Sequence, residues 1–189
     1  MVQSGWLAWA PLAAASLHMV EEFVYPGGFM KWSHRTRPRL RSSINARYLI
    51  VINGLLLLLC YDVGALDGRR FGAALWMGVG ALLFANAVWH VVWTVRGASY
   101  SPGLVTGVVL YAPLVIYGYA WYIRSGQTTL VEVLVPLAVG SSFQFWANLV
   151  HRFRSRGTTG KFPSKSAAHK PRRQLLDVVR RRGKRGPLC

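Results

Sequence analysis

The apolar residues of this chain fall in long blocks instead of alternating with charged residues. Five blocks are each long enough to cross roughly 30 Å of hydrocarbon as an α-helix. They cover residues 5–25, 44–64, 71–95, 102–123 and 129–150. The sequence pattern lacks the short strands of alternating polarity that build a membrane barrel. It therefore predicts an all-α transmembrane helical bundle of about five spans.

Proline and glycine indicate where the predicted spans end. The run from Pro26 to Gly28 terminates the first block. Pro102 suits the first turn of the fourth span, because its missing N–H leaves no hydrogen bond unmade there. Pro38 argues against a continuous helix in the segment from Lys31 to Ser43, which we predict to be a basic loop.

Positive charge is concentrated in two segments that flank the predicted spans. Of the 23 Lys and Arg residues, six lie between Lys31 and Arg47 and thirteen between Arg152 and Arg185. Short cytoplasmic segments carry the excess of Lys and Arg in membrane proteins. This rule predicts a multi-pass cell-membrane protein with an outside N-terminus and a cytoplasmic C-terminus. It also accounts for the net charge of +17 without a specific nucleic-acid partner.

The change in composition after the last block predicts two domains. Residues 1–152 form the bundle, and residues 153–189 form a short basic cytoplasmic tail that we expect to be largely disordered. Residues 172–182 place four apolar side chains among basic ones, which is the pattern of a helix lying on anionic lipid headgroups. A solvated tail that only sets the topology is the alternative.

Two of the six acidic residues, Glu21 and Glu22, lie side by side within the first block. One acid at the centre of a membrane helix costs roughly 2.5–3.5 kcal/mol, so neighbouring carboxylates need a reason. His18 precedes them by three and four residues, which places His18 and Glu22 on one helix face. The three residues therefore predict a compact His/Glu cluster.

Other polar residues fall at the same predicted depth. Asn86 and His90 lie in the inner half of the third span, and Asn148 and His151 lie at the inner end of the fifth. Asn53 lies about two turns into the second span, where it is either part of a site or a hydrogen-bonding contact between helices. The predicted topology thus brings three imidazoles to one level near the cytoplasmic side.

Imidazole and carboxylate side chains are ligands for zinc and iron, and a divalent metal would offset the buried negative charge. Without metal, a glutamate would act as a general base. The predicted catalytic residues are Glu21, Glu22 and His90; the predicted metal ligands are His18, Glu21, Glu22, His90 and His151; the predicted supporting residues are Asn53, Asn86 and Asn148.

Several short motifs occur together with this cluster. They are His18-Met19-Val20-Glu21-Glu22, the turn Pro26-Gly27, Asn53, Asn86-x-x-x-His90 and Tyr100-Ser101-Pro102-Gly103. In this order they resemble the HXXEE-domain family of multi-pass integral membrane proteins, over about residues 12–152. The resemblance implies a membrane bundle and supports the site, but it names no reaction.

The cluster predicts a membrane-embedded enzyme, a hydrolase or an oxidase, that acts on a lipid-like substrate from the cytoplasmic side. The alternative is a non-enzymatic transporter-like protein in which the same carboxylates bind a cation or a proton. The sequence favours the enzyme without excluding the alternative.

Overall fold

The computed structural model of the protein describes residues 5–158, with side chains through Arg154. This part of the chain contains no strand, which confirms the predicted all-α class for it. Its six helices are α1 (Trp6–Phe23), α2 (Phe29–Thr36), α3 (Ala46–Ala65), α4 (Gly72–Gly97), α5 (Leu104–Arg124) and α6 (Leu134–Thr158). Residues through Ser155 belong to one compact unit.

A helix occupies most of each of the five predicted apolar blocks. By length and apolar composition, α3, α4 and α5 are suited to cross a membrane. These three helices suggest a membrane protein. Helix α1 has 18 residues and carries both glutamates of the cluster, which lowers its apolar character.

The predicted loop 31–43 contains most of a helix that the sequence pattern did not indicate. Helix α2 begins after Gly28, which adopts a left-handed conformation (φ 85°), and ends before a 3₁₀ turn at Pro38–Leu40. Trp32 and Ser33 on one face of α2 are buried, while Lys31 and Arg35 are exposed. Burial of this face stabilises the helix, although the charged residues give the segment the composition of a loop.

Glycines allow the helices to approach closely. A Cβ at Gly118 of α5 would lie 1.8 Å from the Trp76 ring of α4, and a Cβ at Gly140 of α6 would lie 2.1 Å from the Gly78 carbonyl oxygen. Small residues at such crossings let helix backbones pack directly against each other. Helix α4 therefore packs closely against both α5 and α6.

Successive long helices run in opposite directions, so one end of the bundle collects the ends of α1, α4 and α6 and the beginnings of α3 and α5. Hydrogen bonds join these elements at that end: His18 contacts α5, and Gln144 contacts α4. The polar residues singled out from the sequence all lie there.

The predictions for the basic tail fall on residues that the structure does not describe, apart from the end of α6. The boundary at residue 153, the disorder of 153–189 and the interfacial helix at 172–182 therefore stay predictions.

Candidate metal centre

Three of the predicted ligands, His18, Glu22 and His90, converge in the interior. The Nε2 atom of His18 lies 3.5 Å from Glu22 Oε1, and the Nε2 atom of His90 lies 3.2 Å from the same oxygen. The three side chains are almost fully buried, and one ligand atom from each lies within 4.8 Å of the others. Two histidines and one carboxylate at this spacing have the size of a metal coordination sphere.

A hydroxyl group fixes the proton on His18. Thr106 Oγ1 donates its single proton to Glu21 Oε2, because a carboxylate only accepts, and the same oxygen lies 2.8 Å from His18 Nδ1. The Nδ1–H group of His18 must therefore donate to Thr106. In the neutral ring, Nε2, which lies 3.5 Å from Glu22 Oε1, then carries a lone pair that accepts a hydrogen bond from Asn86 Nδ2. In many metal sites a carboxylate accepts a hydrogen bond from a ligating histidine and so orients its ring. Here Glu21 orients His18 through the Thr106 hydroxyl.

His90 is held in a similar way from the loop before α5. Its Nδ1 atom lies 2.8 Å from Ser101 Oγ, which leaves Nε2 facing Glu22. Gly103 makes room for both rings, because a Cβ at this position would lie 2.7 Å from the Cε1 atoms of His18 and His90. Gly103 also has a φ of +98°, a conformation that only glycine adopts without strain.

The donor set fits a divalent metal. The 3.5 Å contact between His18 Nε2 and Glu22 Oε1 joins two lone pairs when the histidine is neutral, which is repulsive without a cation. A metal bound by His18, His90 and Glu22 would use these lone pairs, the one on His18 in place of its hydrogen bond from Asn86, and would offset the buried charge. Two histidines and one carboxylate hold catalytic zinc and also non-haem iron, each with positions left for other ligands.

Glu21 faces away from this centre and contacts the beginning of α5. It accepts hydrogen bonds from the backbone N–H groups of Val105 (3.0 Å) and Thr106 (2.7 Å), and from the hydroxyls of Tyr100 and Thr106. The first N–H groups of a helix lack partners within the helix and favour a negative charge. The structure thus separates the adjacent glutamates: Glu22 lies at the centre, and Glu21 caps α5.

The amides form a chain that ends at His18. Gln144 donates to Asn86 Oδ1 at 3.0 Å, and Asn86 Nδ2 donates to His18 Nε2 at 3.1 Å. Asn148 donates to the Gln144 carbonyl oxygen, and Asn53 donates to the carbonyl oxygen one turn earlier in α3. Of the predicted supporting residues, Asn86 alone contacts a member of the three-residue centre.

His151 lies on α6, outside the group formed by His18, Glu22 and His90. Its Nδ1 atom is 2.5 Å from Ser43 Oγ, and its ring meets the Tyr48 ring edge-on at 4.6 Å. Burial accompanies these contacts, since His151 is 6% exposed. The structure therefore places it in a separate polar contact.

A cavity of about 310 Å³ lies against the centre and reaches His151. Glu22 and His90 form part of its wall, and so do Asn53, Asn148 and His151. Most of the remaining wall is apolar, which is the usual composition of a pocket for a small organic ligand, and the volume is at the lower end of that range.

Sequence reasoning did not find the hydroxyl partners. Tyr100, Ser101 and Gly103 belong to the Tyr-Ser-Pro-Gly motif before α5, and Thr106 follows it by three residues. The motif was the available signal, but its contacts with α1 and α4 depend on the tertiary fold. The roles of Tyr100 and Ser101 follow from the geometry alone.

Residues 9–118 match the family described as "Protein of unknown function with HXXEE motif". The chain belongs to this family. The matched region contains His18, Glu22 and His90 together with the loop that orients them, whereas His151 lies outside it. No curated protein and no solved structure matches the chain. This HXXEE protein is therefore assigned by its sequence match, and its chemistry has to be argued from its own site.

Proposed function

We propose that this protein is a metal-dependent membrane enzyme whose centre is formed by His18, Glu22 and His90. The observation that carries the proposal is the convergence of three buried ligand atoms on one point, beside an apolar cavity. When bound, the metal would supply Lewis-acid activation of water if it is zinc, or of dioxygen if it is iron.

The chain's own residues would prepare this centre. Glu21 and Thr106 hold the His18 tautomer, Ser101 orients His90, and Asn86 offers an amide next to the ligands. The surrounding burial excludes bulk water and strengthens each of these interactions. Glu21 and His151, predicted as ligands, would act here as an orienting group and as a group on the cavity wall.

The cavity favours a lipid-like substrate. Its wall is predominantly apolar, and the centre lies near one end of helices that are suited to a bilayer. We propose that α1 and α6 also cross the membrane, which gives five spans with the N-terminus outside and the C-terminus in the cytoplasm. The site would then be reached from the cytoplasmic side, where the basic tail would contact anionic lipid headgroups.

Elemental analysis of the full-length protein, purified in detergent, tests the metal. We expect stoichiometric zinc or iron in the wild type and loss of the metal in Glu22→Gln and His90→Ala. Glu132→Gln is the matched control, because it makes the same chemical change at an exposed carboxylate before α6. His151→Ala should keep the metal. A metal-free wild type would refute the centre and leave the cation- or proton-binding transporter as the candidate.

The enzymatic part of the proposal has a separate test. Lipid extracts from cells that express the wild type or Glu22→Gln would be compared by mass spectrometry. We expect a lipid species that changes only with the wild type. Identical lipid profiles from the two cultures, at equal protein levels, would argue against an enzyme that acts on lipid.

The topology is tested with reporter domains fused after Gly126 and at the C-terminus. We expect an outside location for the first fusion and a cytoplasmic location for the second. The same location for both fusions would contradict the crossing by α6.

A further inference from the structure

Among the arginines that the structure describes, Arg37 alone is half-buried, and it lies at the connection between α2 and the 3₁₀ turn. Three tryptophan rings surround its guanidinium carbon: the centroids of Trp32, Trp89 and Trp93 lie 5.8, 5.9 and 5.3 Å away. Aromatic faces attract a cation at these distances. Burial lowers the pKa of Arg37 to about 10, which the charge of Glu22 opposes, so the side chain is still charged at neutral pH.

This group has more donors than acceptors. The Nη2 group of Arg37 donates to Ser33 Oγ at 3.1 Å, but its Nε atom is buried without an acceptor among the residues that the structure describes. The same holds within that range for the indole Nε1 atoms of Trp32 and Trp93. A buried donor without a partner costs free energy. All three unpartnered groups are N–H donors, so the complementary ligand is an acceptor, and beside a guanidinium it is an anion.

Arg37 is also part of the wall of the cavity described above. Glu22 and His90 line the same cavity, yet Arg37 forms no ion pair with a carboxylate of the described chain. Its charge is therefore available to a ligand that enters the cavity. Trp89 connects the two regions, since it lines the same cavity, precedes His90 in α4 and contacts Arg37 with its ring.

The rest of the cavity extends along one face of α3. Leu49, Ile52, Leu56 and Leu59 line it at a spacing of three or four residues, which places them on one side of the helix. Ten residues of helix span about 15 Å. This apolar strip matches a linear hydrocarbon chain better than a compact polar molecule.

We propose that the cavity binds an amphiphile with one oxyanion head, a phosphate or a carboxylate, held at Arg37, and an apolar chain along α3. This proposal rests on the proposed function, because it names the substrate class of the same site. It places the anionic head near the metal ligands and the chain away from them. An uncharged lipid would leave the Arg37 guanidinium in the cavity wall without a counter-ion, and specificity would follow from that difference.

Calorimetric titration of the full-length protein in a neutral maltoside detergent tests the proposal. The probes are dodecyl phosphate, dodecanoate, dodecanol and inorganic phosphate. Hydrogen bonds to charged groups predict that one of the two anionic amphiphiles binds at least about tenfold more tightly than dodecanol. Inorganic phosphate should bind more weakly than dodecyl phosphate, because it lacks the chain. Equal affinities for dodecyl phosphate and inorganic phosphate would refute the proposal that the ligand is an amphiphile.

Arg37→Gln should remove the preference for the anionic amphiphile over dodecanol and leave the dodecanol affinity unchanged. Arg39→Gln is the matched control, because Arg39 is an exposed arginine in the adjacent turn, and it should bind as the wild type does. Arg37→Lys keeps the charge but loses the planar donors, so it should give an intermediate preference and covers the case in which Arg37→Gln fails to fold. A full preference in either folded Arg37 variant would refute the head-group site.

Metal analysis of the same samples separates this proposal from the proposed function. Metal in Arg37→Gln with loss of the anion preference supports both. An anion preference in a wild type that binds no metal would refute the metal centre and leave the amphiphile site standing.

Discussion

The two sides of the last turn of α1 differ in how each satisfies a buried carboxylate. On one side, Glu21 accepts four hydrogen bonds from α5 and the loop before it. On the other side, Glu22 contacts two imidazoles and the cavity. The two glutamates are adjacent in sequence and nearly equally exposed, but their contacts differ. Glu21 already accepts four hydrogen bonds and holds α1 against the beginning of α5. Glu22 still has oxygen lone pairs that can bind a ligand.

Glu22→Gln gives the largest expected effect on this contrast. The amide replaces the negative ligand, so we expect metal affinity to fall by more than about 100-fold. The metal-free variant should be as stable as the metal-free wild type or more so, because an uncompensated buried charge is gone. Metal titration and thermal unfolding with and without chelator measure the two quantities. Unfolding of the variant in the absence of metal would contradict the division of roles.

Glu21→Gln should lower both the stability of the fold and the affinity for metal. The amide keeps one acceptor oxygen but turns donors of α5 into unpaired groups, which costs about 2–4 kcal/mol of unfolding free energy. The orientation of His18 through Thr106 would also be lost, so metal affinity should fall by about 10–100-fold. Unfolding curves of the metal-free protein isolate the structural part. If stability is unchanged there, Glu21 does not cap α5.

Gly103→Ala should weaken the centre from the α5 side. The new Cβ would crowd His18 and His90, and a φ of +98° would add backbone strain of about 1–3 kcal/mol. Gly126→Ala is the control, since Gly126 has a φ of +70° but nothing within 4 Å of the added Cβ. We expect loss of metal affinity only in Gly103→Ala. An equal loss in both variants would mean that crowding of the imidazoles is not the cause.

The smallest effect on stability is expected at Glu132. Like Glu21, this carboxylate accepts hydrogen bonds from backbone and hydroxyl groups, but it lies at the surface. Glu132 and Thr129 form a capping box before α6: the Thr129 N–H donates to Glu132 Oε2 at 2.8 Å, and the Glu132 N–H donates to Thr129 Oγ1 at 3.3 Å. The hydrogen bonds from the Thr129 backbone and hydroxyl hold the pKa of Glu132 below its ordinary value of 4.5.

A depressed carboxyl pKa stabilises the folded protein above the unfolded pKa, and this stabilisation is lost as pH falls through the folded pKa. Glu132→Gln should therefore lower the melting temperature slightly at pH 7, with a difference that shrinks below about pH 4.5. Melting curves across that range measure it. A larger loss than in Glu21→Gln would reverse the comparison between buried and exposed carboxylates.

The helices could be predicted because long apolar blocks permit few other structures. The α2 segment could not, since Lys31, His34 and Arg35 give it the composition of a loop, and its buried face depends on tertiary contacts. Arg37 could not be distinguished from the other five basic residues between Lys31 and Arg47, because its burial also depends on tertiary contacts. Charge counts report topology, and only the fold shows which arginine is half-buried beside tryptophan rings.

For the site, the sequence placed His18, Glu22 and His90 at one depth, and the structure brings them together. The sequence analysis assigned Glu21 and Glu22 the same role because they are adjacent. Spacing along a helix does not show which of the two faces hydrogen-bond donors from another helix. The beginning of α5 had to be positioned before Glu21 could be assigned. His151 shares the predicted end of the bundle, but depth alone does not specify its lateral position.

Helix α5 contains one π-turn, Gly107–Tyr111. Such a turn holds one residue more than a regular turn, which is the arrangement that a single inserted residue leaves in an α-helix. Thr106 lies before it and Gly118 after it. Deleting one residue inside this turn would restore a regular helix and keep both residues on their present faces. Deleting one residue elsewhere between them would rotate Gly118 by about 100° away from Trp76. Between Thr106 and Gly118, a change in length should therefore be tolerated at this turn and not elsewhere.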